Sequence, residues 1–157
     1  MIDYNELNVQ LEGLISGIPH LTANLANASA LIFESLTDLN WAGFYLLEGK
    51  AGEELLVLAP FQGRPACIEI RLGKGVCGTA AAENRTIVAP NVHEFPGHIA
   101  CDCASNSEIV VPLRRSDGSV FGVLDIDSPV LGRFREEDRE GLERFAKIIE
   151  TQIRPAR

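Results

Sequence analysis

The residues most able to do chemistry in this chain are four cysteines in its middle third, Cys67, Cys77, Cys101 and Cys103. A domain of 157 residues buries enough surface to fold without disulfides or a structural metal, so these thiols are not required for folding. Their spacing contains no Cys-x-x-Cys pair, which disfavours a zinc site even with His93 and His98 nearby. A redox pair is the better interpretation, because a second thiol can trap a sulfenic acid as a disulfide.

Cys101 lies in the least regular part of the sequence, residues 90–106, and a loop of that length in a compact domain is usually functional or disordered. The neighbouring Asp102 disfavours a thiolate, so a nucleophilic Cys101 must be activated by its pocket or by the substrate. The simpler interpretation of any single cysteine is a small buried hydrophobe, and we favour it for Cys103.

Three carboxylates, Glu108, Asp125 and Asp127, are predicted to share one face of a β-hairpin. Residues 108–127 hold two apolar runs around Asp117-Gly118, a dipeptide typical of two-residue type I′ turns. That turn places Glu108 opposite Asp127 and Val110 opposite Asp125. A slip of one residue would mix the two faces, so the pattern supports this register.

The predicted acidic face also carries three apolar side chains, Val110, Phe121 and Val123, which indicates a lined pocket. The opposite face is wholly apolar, with Ile109, Val111, Leu113, Leu124 and Ile126. Opposed like charges repel, so a ligand ammonium, a metal ion or a protonated carboxyl acting as an acid would have to offset that repulsion. A solvated acidic surface is the alternative.

Two further features border this face. Trp41 and Tyr45 occupy positions i and i+4 of a predicted strand and so point to one side, either as core residues or as an aromatic wall for a small apolar group. The glycines of the stretch at residues 73–78 favour a turn that leads into a short helix, and the start of that helix could bind a ligand carboxylate.

The elements that position these residues follow from hydrophobic periodicity. Residues 3–36 predict two amphipathic helices divided at Ile18-Pro19, and residues 135–153 predict a third. Strands are predicted at residues 41–47 and 55–59, which form a hairpin, and at 67–72 and 87–89, with a short helix at 76–83. The order predicts one α+β domain over residues 1–157, with a mainly antiparallel sheet flanked by N-terminal and C-terminal helices.

The overall charge narrows the possible partners. Fourteen basic and 22 acidic residues give a net charge of −8, which disfavours nucleic acid and anionic membranes because both attract positive surfaces. The N-terminus has no signal-peptide pattern, and no stretch approaches the roughly 18 apolar residues of a membrane span. We therefore expect a cytoplasmic protein with reduced cysteines.

Six blocks carry a family resemblance: LNWAGFYLL at 39–47, PFQGRPAC at 60–67, GKGVCGTA at 73–80, HEFPGHIACD at 93–102, SNSEIVVPL at 105–113 and GVLDIDSP at 122–129. Together they resemble the free methionine-(R)-sulfoxide reductases, single-domain members of the GAF fold. The resemblance implies reduction of free L-methionine (R)-sulfoxide to methionine, with thioredoxin as the electron source and with no metal or organic cofactor.

The resemblance also implies roles for the cysteines. Cys101 matches the nucleophile, which becomes a sulfenic acid, and Cys67 matches the resolving cysteine, so the implied disulfide joins these two. Cys77 matches the third family cysteine, which substitutes or relays. Cys103 is additional to the pattern and is a further candidate for resolution, although cysteines at i and i+2 form strained disulfides.

The substrate-binding residues implied by the resemblance are the same side chains that the hairpin brings together. Glu108, Asp125 and Asp127 match the family carboxylates, which hold the ammonium and supply a proton to the sulfoxide oxygen. Trp41 and Tyr45 match the residues that house the S-methyl group, and backbone N–H groups of residues 100–102 are candidates for binding the substrate carboxylate.

The competing interpretation is a GAF-type small-molecule sensor that binds without turnover. A sensor needs an output domain, for which 157 residues leave no room. Apolar stripes on the two N-terminal helices are compatible with a homodimer.

Overall fold

The structure is a computed structural model that describes residues 2–97 and 104–153. Its helices are α1 (Tyr4–Ile15), α2 (Leu21–Ser35), α3 (Gly75–Glu83) and α4 (Glu136–Thr151), with a 3₁₀ turn at Val92–Glu94. Its strands are β1 (Trp41–Glu48), β2 (Leu55–Gly63), β3 (Glu69–Arg71), β4 (Ile87–Ala89), β5 (Ser107–Arg114) and β6 (Val120–Ser128). They form one antiparallel sheet in the order β3-β2-β1-β6-β5-β4, which confirms the predicted α+β class.

The sheet separates two apolar clusters, because successive side chains of a strand point to opposite faces. One face packs on α1, α2 and α4, and the cluster between them includes Phe44 and Leu124 of the sheet and Phe145 of α4, all fully buried. The other face lies under α3 and includes Trp41, Tyr45 and Val110. The first cluster is the main core, and the second surrounds the predicted site.

A buried hydrogen bond joins the first helix, α1, to the last helix, α4. Tyr4 on α1 donates a 2.6 Å hydrogen bond to Asp138 on α4, whose other oxygen accepts from the backbone N–H of Arg135 and caps the helix. The Tyr4 ring fits against Gly141, where a Cβ would lie only 2.1 Å from Tyr4 Cγ. No helix in the described part of the chain is long and apolar enough to cross a membrane.

The register of the β5–β6 hairpin is confirmed, but the predicted turn is wrong. Glu108 pairs with Asp127 and Val110 with Asp125. At the turn, however, the N–H of Gly118 bonds to Arg115 O and only Gly118 has a positive φ, of 87°, so the connection is a three-residue loop and not type I′.

A bulge in β6 restores the predicted pairing. Arg114 pairs with Val120 and Leu113 with Gly122, which leaves Phe121 as an extra residue. The bulge turns the Phe121 side chain into the cluster beneath α1, α2 and α4, so its predicted place on the acidic face is also wrong.

Two strand boundaries differ from the prediction. The strand predicted at residues 67–72 is paired only over Glu69–Arg71, since β3 faces only three residues of β2. The strand predicted at 55–59 instead continues to Gly63, because an irregularity opposite Gly43–Tyr45 lets β2 pass through Pro60 and resume pairing with β1.

Candidate active site

Six of the eight predicted site residues line one small cavity of about 60 Å³ between the sheet and α3. The carboxylates Glu108, Asp125 and Asp127 form its acidic side, and Trp41 with Tyr45 forms its aromatic side. Its remaining lining comes from Pro65, Ala66, Ile70, Lys74, Gly75, Val76, Cys77 and Ser105. The structure therefore brings together the five predicted substrate-binding side chains and Cys77.

The carboxylates meet because two adjacent strands, β5 and β6, present them on the same face of the sheet. Asp127 faces Trp41 across β1–β6 and Glu108 across β5–β6, while Asp125 faces Gly43. Asp125 is only 5% exposed, and its Oδ1 has no hydrogen-bond partner among the described residues. A buried carboxylate oxygen without a donor is costly, so the cavity favours a ligand that brings one.

Burial sets the protonation of this cluster. The pKa of Glu108 is raised well above its usual value by burial and then by the charges of Asp125 and Asp127. Burial also raises the pKa of Asp125, although hydrogen bonds from Glu108 and Cys77 oppose that shift. Both shifts are upward, and the larger set of causes acts on Glu108, so the cluster favours the protonated form of Glu108 beside Asp125.

Cys77 belongs to the same cluster, with its Sγ 3.8 Å from Glu108 Oε2. The thiol is free and buried, and burial followed by the charge of Asp125 raises its pKa well above the usual value. One ligand atom from each of Cys77, Glu108 and Asp125 lies within 4.8 Å of the others, close enough to hold a divalent cation. An ammonium group would satisfy the same oxygens.

The aromatic side is a stack of three rings. Trp41 lies between Tyr45, at a centroid distance of 5.9 Å, and Phe61 of β2, at 5.1 Å. The Phe61 side chain can lie against β1 only because Gly43 has no side chain, since a Cβ at that position would lie 2.2 Å from Phe61 Cβ. The result is a rigid apolar wall opposite the carboxylates.

Comparison with known proteins identifies the family. The model of the GAF domain family matches residues 21–153. The chain is 53% identical to the free methionine-R-sulfoxide reductase of Escherichia coli over 94% of its own length and 86% of that protein. The fRMsr of Staphylococcus aureus, solved in complex with its substrate, is 51% identical with a TM-score of 0.90, covering 97% of this chain and 96% of that one.

The chain belongs to the free methionine-R-sulfoxide reductase family. A second member solved with its substrate, from Neisseria meningitidis, shows 46% identity and a TM-score of 0.88 over 95% of this chain and 87% of its own. The resemblance to this family is thus confirmed over nearly the whole chain.

The reductase cysteines occupy different positions relative to the cavity. Cys67 is disulfide-bonded and partly buried, directly after the cavity-lining residues Pro65 and Ala66. Cys77 is a free thiol inside the cavity. Cys101, Cys103 and the backbone N–H groups predicted at residues 100–102 lie outside the described residues.

The start of α3 provides a second electrostatic feature of the cavity. Lys74, Gly75 and Val76 line the cavity, and Lys74 is the N-cap residue without a side-chain cap. The N–H groups at a helix start favour an anion, so this end of the cavity can face a carboxylate. The glycine stretch had indicated such a helix start, and here it lies beside the acidic face.

Sequence reasoning missed Phe61 and Gly43 as part of the reductase wall. Their contact depends on the β1–β2 register beyond the irregularity in β2, which no local pattern reveals. The tripeptide Trp41-Ala42-Gly43 offered one signal, since a glycine within a strand often marks close approach of another chain segment.

Proposed function

We propose that the protein reduces free L-methionine (R)-sulfoxide to methionine. The observation that carries the proposal is the carboxylate cluster: Glu108, whose pKa is raised, and the unpartnered Asp125 oxygen line one cavity with Trp41 and Tyr45. The site offers negative charge, one transferable proton and an apolar surface. Free methionine sulfoxide matches these with an ammonium, a basic oxygen and an S-methyl group.

Each part of the substrate has a complementary region. The ammonium pairs with Asp125 and Asp127, and the methyl group lies against the two aromatic rings. The substrate carboxylate is held by backbone N–H groups, for which the start of α3 and residues 100–102 are the candidates. Peptide-bound methionine sulfoxide lacks the free ammonium and carboxylate, so it is excluded.

The proposed first step uses Cys101. Its thiolate attacks the sulfoxide sulfur while Glu108 gives its proton to the sulfoxide oxygen, so that the S–O bond breaks. The attack forms an S–S bond between Cys101 and the substrate, and the released hydroxide then attacks the Cys101 sulfur and breaks that bond. Cys101 is left as a sulfenic acid, oxidised by two electrons, and methionine leaves with its sulfur reduced by two electrons. Glu108 regains a proton from solvent.

The proposed second step uses Cys67. Its thiol attacks the sulfenic sulfur of Cys101, a disulfide forms, and the oxygen leaves as water with the thiol proton. The disulfide-bonded state of Cys67 supports this role. A dithiol protein of the thioredoxin type then reduces the disulfide, which fits a cytoplasmic location where thiols are kept reduced.

Cys77 is assigned a secondary role. Its raised pKa keeps the thiol protonated near neutral pH, which makes it a poor attacking group. It can substitute or relay when Cys67 is missing. Cys103 receives no role.

The test is methionine release from racemic free methionine sulfoxide with dithiothreitol as reductant. The proposal expects consumption of only the R epimer, loss of release in Cys101→Ser, and normal release in the matched control Cys103→Ser. It is overturned if the purified protein releases no methionine, or if Cys101→Ser releases it normally. Binding of methionine sulfoxide without turnover would instead indicate a GAF-type sensor.

A further inference from the structure

The two aromatic residues of the cavity wall also make hydrogen bonds to the chain segment that carries Cys67. Tyr45 donates its hydroxyl proton to Cys67 O at 2.9 Å, and Trp41 donates its indole N–H to Arg64 O at 3.1 Å. Both side chains are only 2% exposed. Loss of either bond therefore leaves a polar group with little access to water.

Residues 64–68 cross between β2 and β3 without helical or strand structure. Pro65 and Ala66 of this segment line the cavity. The segment is therefore one wall of the cavity and also the support for a redox cysteine. The hydrogen bonds from Trp41 and Tyr45 of β1 fix the backbone of this segment.

From these contacts we propose that Tyr45 is a positioning residue for Cys67: its hydroxyl holds the Cys67 backbone where the thiol can reach the sulfenic acid. This inference rests on the proposed function. It assigns a separate role to each part of Tyr45: the ring lines the cavity, and the hydroxyl positions the resolving cysteine.

The hydroxyl is suited to a permanent hydrogen bond. Burial, followed by the charge of Asp125, raises the pKa of Tyr45 well above its usual value. The phenol therefore keeps its proton and remains a donor to the carbonyl at every physiological pH.

Backbone placement is decisive for disulfide formation because the geometry of the bond is narrow. The Cα atoms of a disulfide lie roughly 4.4 to 6.8 Å apart, and the attacking sulfur must approach along the S–O axis of the sulfenic acid. An irregular segment without an anchor samples many conformations, few of which meet that requirement. The Tyr45 bond fixes the carbonyl of Cys67 itself.

The test is Tyr45→Phe, which keeps the ring and removes only the hydroxyl. Fully reduced protein is mixed with excess free methionine sulfoxide without reductant, and two rates are followed by rapid quench: methionine formation and loss of free thiols to the disulfide. We expect the ratio of disulfide rate to methionine rate to fall about 3- to 10-fold. A sulfenic acid, trapped with a dimedone-type reagent, should accumulate.

Tyr4→Phe is the matched control, since Tyr4 also buries a hydroxyl that donates to a partner, Asp138, but lies far from the cavity. It should lower thermal stability and leave the rate ratio unchanged. An unchanged ratio in Tyr45→Phe would overturn this inference alone. An equal fall in Tyr4→Phe would do the same, because it would attribute the effect to general destabilisation. Absence of methionine in the wild type would overturn the proposed function together with this inference.

Discussion

Replacing Glu108 by glutamine should stabilise the folded protein at alkaline pH. The raised pKa of Glu108 means that the folded state holds a proton that the unfolded state, with a pKa near 4.3, releases. Between these two pKa values the folded protein binds more protons, so its free energy of unfolding falls as the pH rises. Glutamine has the same shape and no proton to lose.

The size of the effect follows from the separation of the charges. Oxygens of Glu108 and Asp125 lie within 4.8 Å, and two unit charges at that distance repel by about 3.5 kcal/mol at an effective dielectric constant near 20. Allowing for relaxation, we expect the free energy of unfolding of Glu108→Gln to exceed that of the wild type by about 2 to 3 kcal/mol at pH 8. For a chain of this size that corresponds to roughly 4 to 12 °C in Tm.

Thermal unfolding of both proteins from pH 4 to pH 8 measures this difference. The two curves should converge toward pH 4, where Glu108 is mostly protonated in the unfolded state as well, and separate as the pH rises. Glu12→Gln, on the exposed side of α1, is the control and should follow the wild type at every pH. A Glu108→Gln variant that is less stable than the wild type at pH 8, or equally stable throughout, would refute the assignment of a protonated Glu108.

Three further predictions concern the wall, the carboxylates and the thiol. Gly43→Ala should lower the free energy of unfolding by about 1 to 3 kcal/mol, because its Cβ would lie 2.2 Å from Phe61 Cβ on the neighbouring strand. The control Gly13→Ala has nothing within 4 Å of the added Cβ and should raise Tm slightly. Equal melting temperatures for the two variants would contradict the close approach at Gly43. Asp127→Ala should reduce kcat/KM for methionine release at least tenfold, and Asp117→Ala in the exposed turn should not; comparable losses would contradict the shared acidic face. Cys77 should react with iodoacetamide far more slowly than a denatured control at pH 8, and rapid alkylation would contradict its burial and raised pKa.

The sequence predicted the acidic face correctly although its turn was wrong. Alternation of apolar and acidic residues is a constraint along the whole hairpin, so the pairing of Glu108 with Asp127 survives a change at the tip. The turn depends on φ at Asp117, which is not positive, and Asp-Gly suits both turn types. The bulge at Phe121 has no local signal, because a phenylalanine is acceptable on either face.

Two contacts of the aromatic wall, whose residues Trp41 and Tyr45 were predicted, lay beyond sequence reasoning for a different reason. The contact of Phe61 with Trp41 and the bond from Tyr45 to Cys67 join residues 20 and 22 positions apart through an irregular strand pairing. Periodicity fixes which side of a strand a residue faces, but not where two strands shift relative to each other. The resemblance to the reductases indicated the residues, and only the fold indicates how they are connected.

The buried acidic cluster also explains how substrate selection and catalysis can depend on the same charges. Without a ligand, burial and the charges of Asp125 and Asp127 raise the pKa of Glu108 and favour its protonated form. A substrate ammonium placed beside these two carboxylates cancels part of that field, which lowers the pKa of Glu108 toward its usual value. The proton is then released most readily when the ammonium is bound, so that donation to the sulfoxide oxygen follows binding of a free amino acid. A sulfoxide that lacks the ammonium but is otherwise identical would leave the pKa of Glu108 raised. Such a substrate should therefore show a lower kcat as well as weaker binding.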